Sequence, residues 1–309
     1  MQRFLIRRLG QVVVTIFGVL TLIFFLQRLT GDPTYLLLPE TATREDAAVM
    51  RHALGFDRPL LVQYGAFLQQ MLGFDLGKSY VQNVSVSTII ASRLPFTLQL
   101  AAGALLVACG IGIPIGIVLA FFRETAAARL LAGLVFAAQS MPTFWSGILL
   151  IMIFAVSLGW LPPSSVGGFE HLIMPSIALG LLSMATFARI TRTSILDELG
   201  KDYVRSARAR GAGPARLLLR HLARNASIPV ITVAAIEVSN LLAGAVIVET
   251  VFAWPGLGQV TVQSILARDF MVVQGVVLLG AFVTIGLNLL ADLLYSAVDP
   301  RIRLDGARR

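Results

Sequence analysis

Cysteine is almost missing from this chain. Cys109 is the only one in 309 residues, and it falls inside an apolar run. One thiol excludes a disulfide framework and a thiolate metal site, and leaves Cys109 as a small packing residue. Charge is scarce as well: Asp, Glu, Lys and Arg make up 14% of the sequence, where soluble domains sit near 25%. Histidine is limited to His52, His171 and His221, in three separate segments, and there is no HExxH motif or intramembrane aspartate pair. These gaps leave a membrane-embedded enzyme without a catalytic constellation. Gly73 to Ser79 imitates a phosphate-binding loop, but three residues separate its glycines and Leu72 precedes it. That motif needs four residues between its glycines, and a strand before them, to wrap phosphates in backbone amides.

What the chain has is oil: 56% of it is hydrophobic. Apolar runs long enough to span a bilayer occur at about residues 9–29, 95–122, 130–158, 171–190, 228–251 and 271–297. The reading is an all-α polytopic membrane protein with six transmembrane helices. A cleaved signal peptide would need a shorter apolar core and an A-x-A site; neither follows Arg3, Arg7 and Arg8. Gly112 and Gly116 lie four apart, a spacing that lets helices approach closely, and Pro114 between them predicts a kink. The net charge of +8 and pI near 10.5 raise a nucleic-acid ligand. The basic residues gather instead at the ends of apolar runs, where topology explains them, so no nucleic-acid partner is expected.

The rest is organised around residues 202–229. From Arg189 to Arg224 there are nine basic residues, opposed only by Asp197, Glu198 and Asp202. A basic residue at the centre of a membrane helix costs roughly 2.5–3.5 kcal/mol, so nine would cost about 20 kcal/mol or more. The stretch therefore stays in water, on the cytoplasmic side by the positive-inside rule. Asp202 stands where an N-cap would, Gly211 where a left-handed terminator would, and Pro214 suits the first turn of a second helix. In that helix Arg216, Arg220 and Arg224 share one face, while Leu218 and Leu222 share another. Pro229 predicts a turn or kink into the next apolar run. A solvated, topology-setting charge run is one reading, and a docking surface for a cytosolic partner is the other.

This stretch resembles the cytoplasmic coupling loop of permease subunits in bacterial ABC importers, closest to the dipeptide, oligopeptide and nickel branch. Tyr203, Val204, Arg205, Ala207, Arg208, Ala209, Gly211, Arg220, His221, Arg224, Asn225, Ala226, Ile228 and Pro229 carry the likeness. Arg205-Ser206-Ala207 stands where the wider superfamily has Glu-Ala-Ala. Gly31-Asp32-Pro33 resembles the end of the family's first helix, Gly73 to Ser79 its external GDLG element, and Asp299-Pro300-Arg301 its terminus. Val248 to Gly258, with Glu249, Trp254, Pro255 and Gly256, is similar to the family's VET-F-WPGLG signature. By sequence physics that segment is an interfacial turn carrying an aromatic; in the family it forms an external gate. Gln139 to Trp145, including Pro142 and Phe144, resembles the family's SIPSFW element. Polar residues and a proline at mid-depth suit pore lining or helix packing equally. Glu237 and Asn240 lie inside a span, where an ionisable group should face the bundle interior or a cavity.

The resemblance implies the type I ABC importer permease fold with both termini cytoplasmic, in a bacterial inner membrane. It implies a first helix over 1–30, an external segment over 31–95, a five-helix core over 96–300 with the coupling loop at 197–226, and a tail at 301–309. Thr43 to Asp46 predicts a capping box for a helix ending at Gly55, and Pro59 opens a second helix to about Leu72. Eighteen of the 25 lysines and arginines fall on the inside in this arrangement. The expected partners are a second homologous permease in a heterodimer, two cytosolic ATPases, an external substrate-binding protein and membrane lipid. No cofactor is expected in this chain; ATP and Mg belong to the ATPases. The expected cargo is a di- or oligopeptide, with nickel, glutathione or another small solute as alternatives. A gradient-driven transporter would favour coupling carboxylates at mid-depth, and only Glu237 speaks for it.

Overall fold

The structure is a computed structural model that describes residues 2–29, 38, 43–73 and 75–298. The motif matches at residues 31–33 and 299–301, and the tail, lie outside the described residues. Among the described residues the helices are, in order, α1 (Gln2–Leu29), α2 (Arg44–Leu54), α3 (Leu60–Leu72), α4 (Val86–Phe121), α5 (Ala126–Gln139), α6 (Thr143–Leu150), α7 (Glu170–Leu199), α8 (Asp202–Ala209), α9 (Pro214–Leu217), α10 (Ala223–Val251), α11 (Leu257–Leu266) and α12 (Phe270–Val298). Helix α6 runs on as a π-helical stretch over Ile151–Ser157, and α9 joins α10 through another over Leu218–Leu222. Among the described residues, four helices are long and apolar enough to cross a membrane: α4, α7, the α9–α10 rod and α12. The α5–α6 pair makes a fifth if counted as one span, and α1 carries a shorter apolar stretch over Gly10–Phe25.

The described residues form two compact units, those within 1–95 with 259–285 and those within 96–258 with 286–298. In the first, α2 starts with the capping box that the sequence predicts. Thr43 Oγ1 accepts from Asp46 N at 3.2 Å, and Asp46 Oδ2 accepts from Thr43 N at 2.9 Å. Gly55 ends the helix at φ 73°. Phe24, Phe67, Met71 and Leu278 form the buried centre of this unit. Gly77 turns at φ 74°, and the Ser79 hydroxyl donates to the buried Asp269 carboxylate.

In the second unit α7 is the central helix, with buried residues all along it from Met174 to Glu198. It meets α4 backbone to backbone. A Cβ on Gly112 would sit 2.5 Å from the Met184 carbonyl oxygen, and one on Gly116 2.5 Å from that of Ala188. A Cβ on Gly180 would meet the Ala104 carbonyl oxygen at 2.6 Å. Small residues achieve this closeness in lipid, where no hydrophobic force presses helices together and van der Waals contact must do so.

The structure refines several sequence expectations. The segment 130–158 is broken at the interruption that the sequence places there: α5 and α6 meet at 105° across Ser140–Pro142. Pro142 explains the break, because it holds the residue before it out of helical geometry and lacks the amide that would continue the ladder. The second apolar helix begins at Val86 rather than near Pro95 and continues through Pro114, while α7 runs on to Leu199. Of the turn or kink expected at Pro229, the turn does not occur: Pro229 lies inside α10.

Candidate coupling loop and gate turn

Helix α8 is a short amphipathic rod. Val204 and Ala207 are buried; Asp202, Tyr203, Arg205, Arg208 and Ala209 are exposed. The two buried residues join Ala120, Ile195, Leu217, Leu222 and Ala226 in one apolar cluster. The expected left-handed terminator is present: Gly211 adopts φ 79°. Its amide donates to the Arg208 carbonyl at 2.9 Å, and that of Ala212 to the Ala207 carbonyl at 3.1 Å. This pair of bonds satisfies carbonyls that the helix end would otherwise leave unpaired.

Two details differ from the sequence reading. Lys201 is the N-cap, in extended geometry, and Asp202 is the first helical residue. The Asp202 carboxylate turns to Arg205 at 3.3 Å instead of capping. Beyond Pro214, which does open α9, the buried leucines are Leu217 and Leu222, with Leu218 only partly covered. They are five apart, and the π-helical stretch between them absorbs the extra residue, so both still face the cluster. Arg216, Arg220 and Arg224 remain exposed.

Four polar groups that tie α8 down were only partly visible from the sequence. Lys201 Nζ donates to Glu198 Oε1, and the Tyr203 hydroxyl donates to Glu198 Oε2. Asn225 Nδ2 lies 3.4 Å from both Glu198 Oε2 and the Tyr203 oxygen. The bond to Glu198 holds the Lys201 ammonium above its usual range. Burial, then the bond to Glu198, pushes the Tyr203 phenol up.

The turn after α10 is built on a buried carboxylate. Glu249 has no exposed surface. Thr97 Oγ1 donates to its Oε1 at 2.7 Å, and the Gly258 amide donates to its Oε2 at 2.6 Å. Thr97 Oγ1 in turn accepts from the Leu257 amide at 2.8 Å. Glu249 thus occupies the N-terminus of α11, where free amides and the helix dipole favour an anion. Ala253 takes φ 49° to make the turn. Trp254 is enclosed by protein, at 2% exposure. Its indole N–H donates to the Phe96 carbonyl at 2.9 Å, which permits burial of the polar edge. Gly256 is required by space, since a Cβ there would lie 2.1 Å from Glu249 Oε1. Thr97 and Phe96 were not legible from the sequence as partners of this turn.

Glu237 and Asn240 are brought together on α10. Ser183 of α7 donates to Glu237 Oε2 at 2.5 Å, and Asn240 Nδ2 donates to Oε1 at 3.3 Å. Gln139 ends α5, Pro142 precedes α6, and Phe144 is about half exposed. A cavity of about 320 Å³ in the first unit, rimmed by Arg58, Gln63, Gln70 and Gln274, includes none of these residues. Among the described residues no three His, Cys, Asp or Glu side chains stand close enough to hold a metal ion.

Residues 112–304 match the family described as the binding-protein-dependent transport system inner membrane component, and residues 1–101 match its N-terminal membrane component. The chain belongs to this inner-membrane permease family. The permease is 39% identical to the di/tripeptide transport system permease of Pseudomonas aeruginosa, over 98% of this chain and 99% of that one. It is 40% identical to the glutathione transport system permease of Salmonella typhimurium, again over 98% and 99%. The dipeptide transport system permease of Escherichia coli is 36% identical, with the same coverage. Its fold is similar to that of an inward-facing structure of the MetNI methionine ABC transporter, with TM-score 0.59 and 20% identity over 69% of this chain and 97% of that one. The permease is therefore a multi-pass, all-α membrane subunit of a transport system.

Proposed function

We propose that this permease forms half of the translocation pathway of an ATP-driven importer for di- or oligopeptides. A second homologous permease supplies the other half, two cytosolic ATPases bind and hydrolyse MgATP, and an external binding protein delivers the cargo. The observation that carries this reading is α8, a short helix with an exposed basic face on a buried apolar and polar mount. ATP-driven closure of the ATPases would push on α8 and transmit the motion to α7 and α10. Such a change needs contacts that differ between the two states.

In this reading α1, α4, the bent α5–α6 pair, α7, the α9–α10 rod and α12 are the six spans. The termini and residues 197–226 are cytoplasmic, and residues 31–95 are external. Asp202 to Gly211, with Arg220, Arg224, Asn225 and Pro229, belong to the coupling loop. Glu249, Trp254, Pro255 and Gly256 form the gate turn. Gln139, Pro142, Phe144, Glu237 and Asn240 stand beside the pathway. The relatives' names support a peptide-like cargo, and the glutathione relative keeps a modified tripeptide as the second reading.

Reconstitution of the permease with its partner subunits tests this. ATP hydrolysis is measured with binding protein that is empty, loaded with dialanine or loaded with glutathione. Stimulation by the dialanine-loaded form is expected. Stimulation by glutathione alone transfers the assignment to that cargo, and failure of any ATPase to assemble overturns the importer reading.

A further inference from the structure

Glu198 is in an unfavourable place for a carboxylate. It sits in the last turn of α7, where the carbonyl ends and the helix dipole repel negative charge. It is also 8% exposed, so water offers it little relief. What compensates comes from outside α7: the Lys201 ammonium, the Tyr203 hydroxyl and the Asn225 amide. Each donor belongs to a different part of the loop. Lys201 is the N-cap of α8, Tyr203 lies in its first turn, and Asn225 lies in the first turn of α10. Gly200 intervenes between Glu198 and α8, and glycine by itself would let the short helix swing. The apolar contacts of Val204 and Ala207 hold the opposite side.

We propose that Glu198 is a positioning residue that locks the coupling helix to the ends of both α7 and α10, so that the three move as one body. The proposal rests on the coupling-loop reading above. A push on α8 then reaches two membrane helices at once instead of being lost in rotation about Gly200. The lock is polar, and its donors come from two separated stretches of chain. It therefore fixes orientation, which apolar contact alone leaves loose.

The test uses the full reconstituted complex with Glu198→Gln, Tyr203→Phe and the double variant. Glu124→Gln, in an exposed pair with Arg123, serves as control. Three quantities are read: ATPase retained on co-purification, the ratio of hydrolysis with and without dialanine-loaded binding protein, and dialanine imported per ATP. The ATPases are expected to co-purify with every variant. Glu198→Gln should lower the stimulation ratio and the import per ATP by about tenfold, the scale of one charge-assisted hydrogen bond. Tyr203→Phe should lower both by a smaller factor, and the double variant should be no worse than Glu198→Gln. The control should match wild type. Wild-type ratios in Glu198→Gln, with or without lower thermal stability, overturn the lock and leave the importer reading intact. Absence of ATPase from the wild-type complex overturns both.

Discussion

Gly256→Ala should unfasten the turn after α10, and the structure supplies the magnitude. The added Cβ would lie 2.1 Å from Glu249 Oε1, 2.3 Å from its Cδ and 2.5 Å from Oε2. Ordinary carbon contacts begin near 3.5 Å, so the carboxylate must move by about 1 Å or more. It cannot do so and keep its bonds to Thr97 Oγ1 at 2.7 Å and the Gly258 amide at 2.6 Å. Each charge-assisted bond is worth about 1.5–3 kcal/mol, so their loss predicts about 3–6 kcal/mol before relaxation. Backbone shift in the turn would recover part of this, leaving about 3 kcal/mol. Thermal unfolding in detergent, followed by tryptophan fluorescence, reads the change, because Trp254 is buried against Phe96 in the same turn. In a Glu249→Ala background the obstacle is gone. There Gly256→Ala should add little further cost. An unfolding temperature unchanged from wild type, or an equal cost in both backgrounds, would refute the account.

Gly211→Ala tests a different need. Nothing lies within 4 Å of its Cβ position, so only the φ of 79° resists a side chain. The left-handed penalty predicts a loss of about 1–2 kcal/mol in thermal unfolding, and an equal loss for Gly211→Asn would contradict that cause, because asparagine tolerates this region better. A pH prediction follows from Lys201 and Tyr203, both raised in the folded protein. A raised group stabilises the fold fully below its unfolded value and loses this as pH rises through the folded one. The tie to Glu198 should thus hold at neutral pH and weaken only above about pH 10. Thermal unfolding across pH 8 to 11 should show a decline that Tyr203→Phe makes shallower; identical slopes would remove Tyr203 from the linkage.

What the sequence could determine was local or compositional. The capping box of Thr43 and Asp46 needs atoms three residues apart, and Gly211 and Pro214 act through their own backbone. The membrane class follows from long apolar runs, because lipid leaves backbone groups no partner except within a helix. Even the shape of α8 could be read, since Val204 and Ala207 fall three apart on one face. Tertiary structure alone decided the contacts between distant stretches. Thr97 meets Glu249 across 152 residues, Ser183 meets Glu237 across 54, and Asn225 meets Glu198 across 27. No periodicity connects such pairs. The same cause buries Trp254 against Phe96, whose carbonyl satisfies its N–H. The five-residue step from Leu217 to Leu222 was likewise settled by packing. A sequence pattern records which residues want burial, but their neighbours decide how the chain bends to grant it.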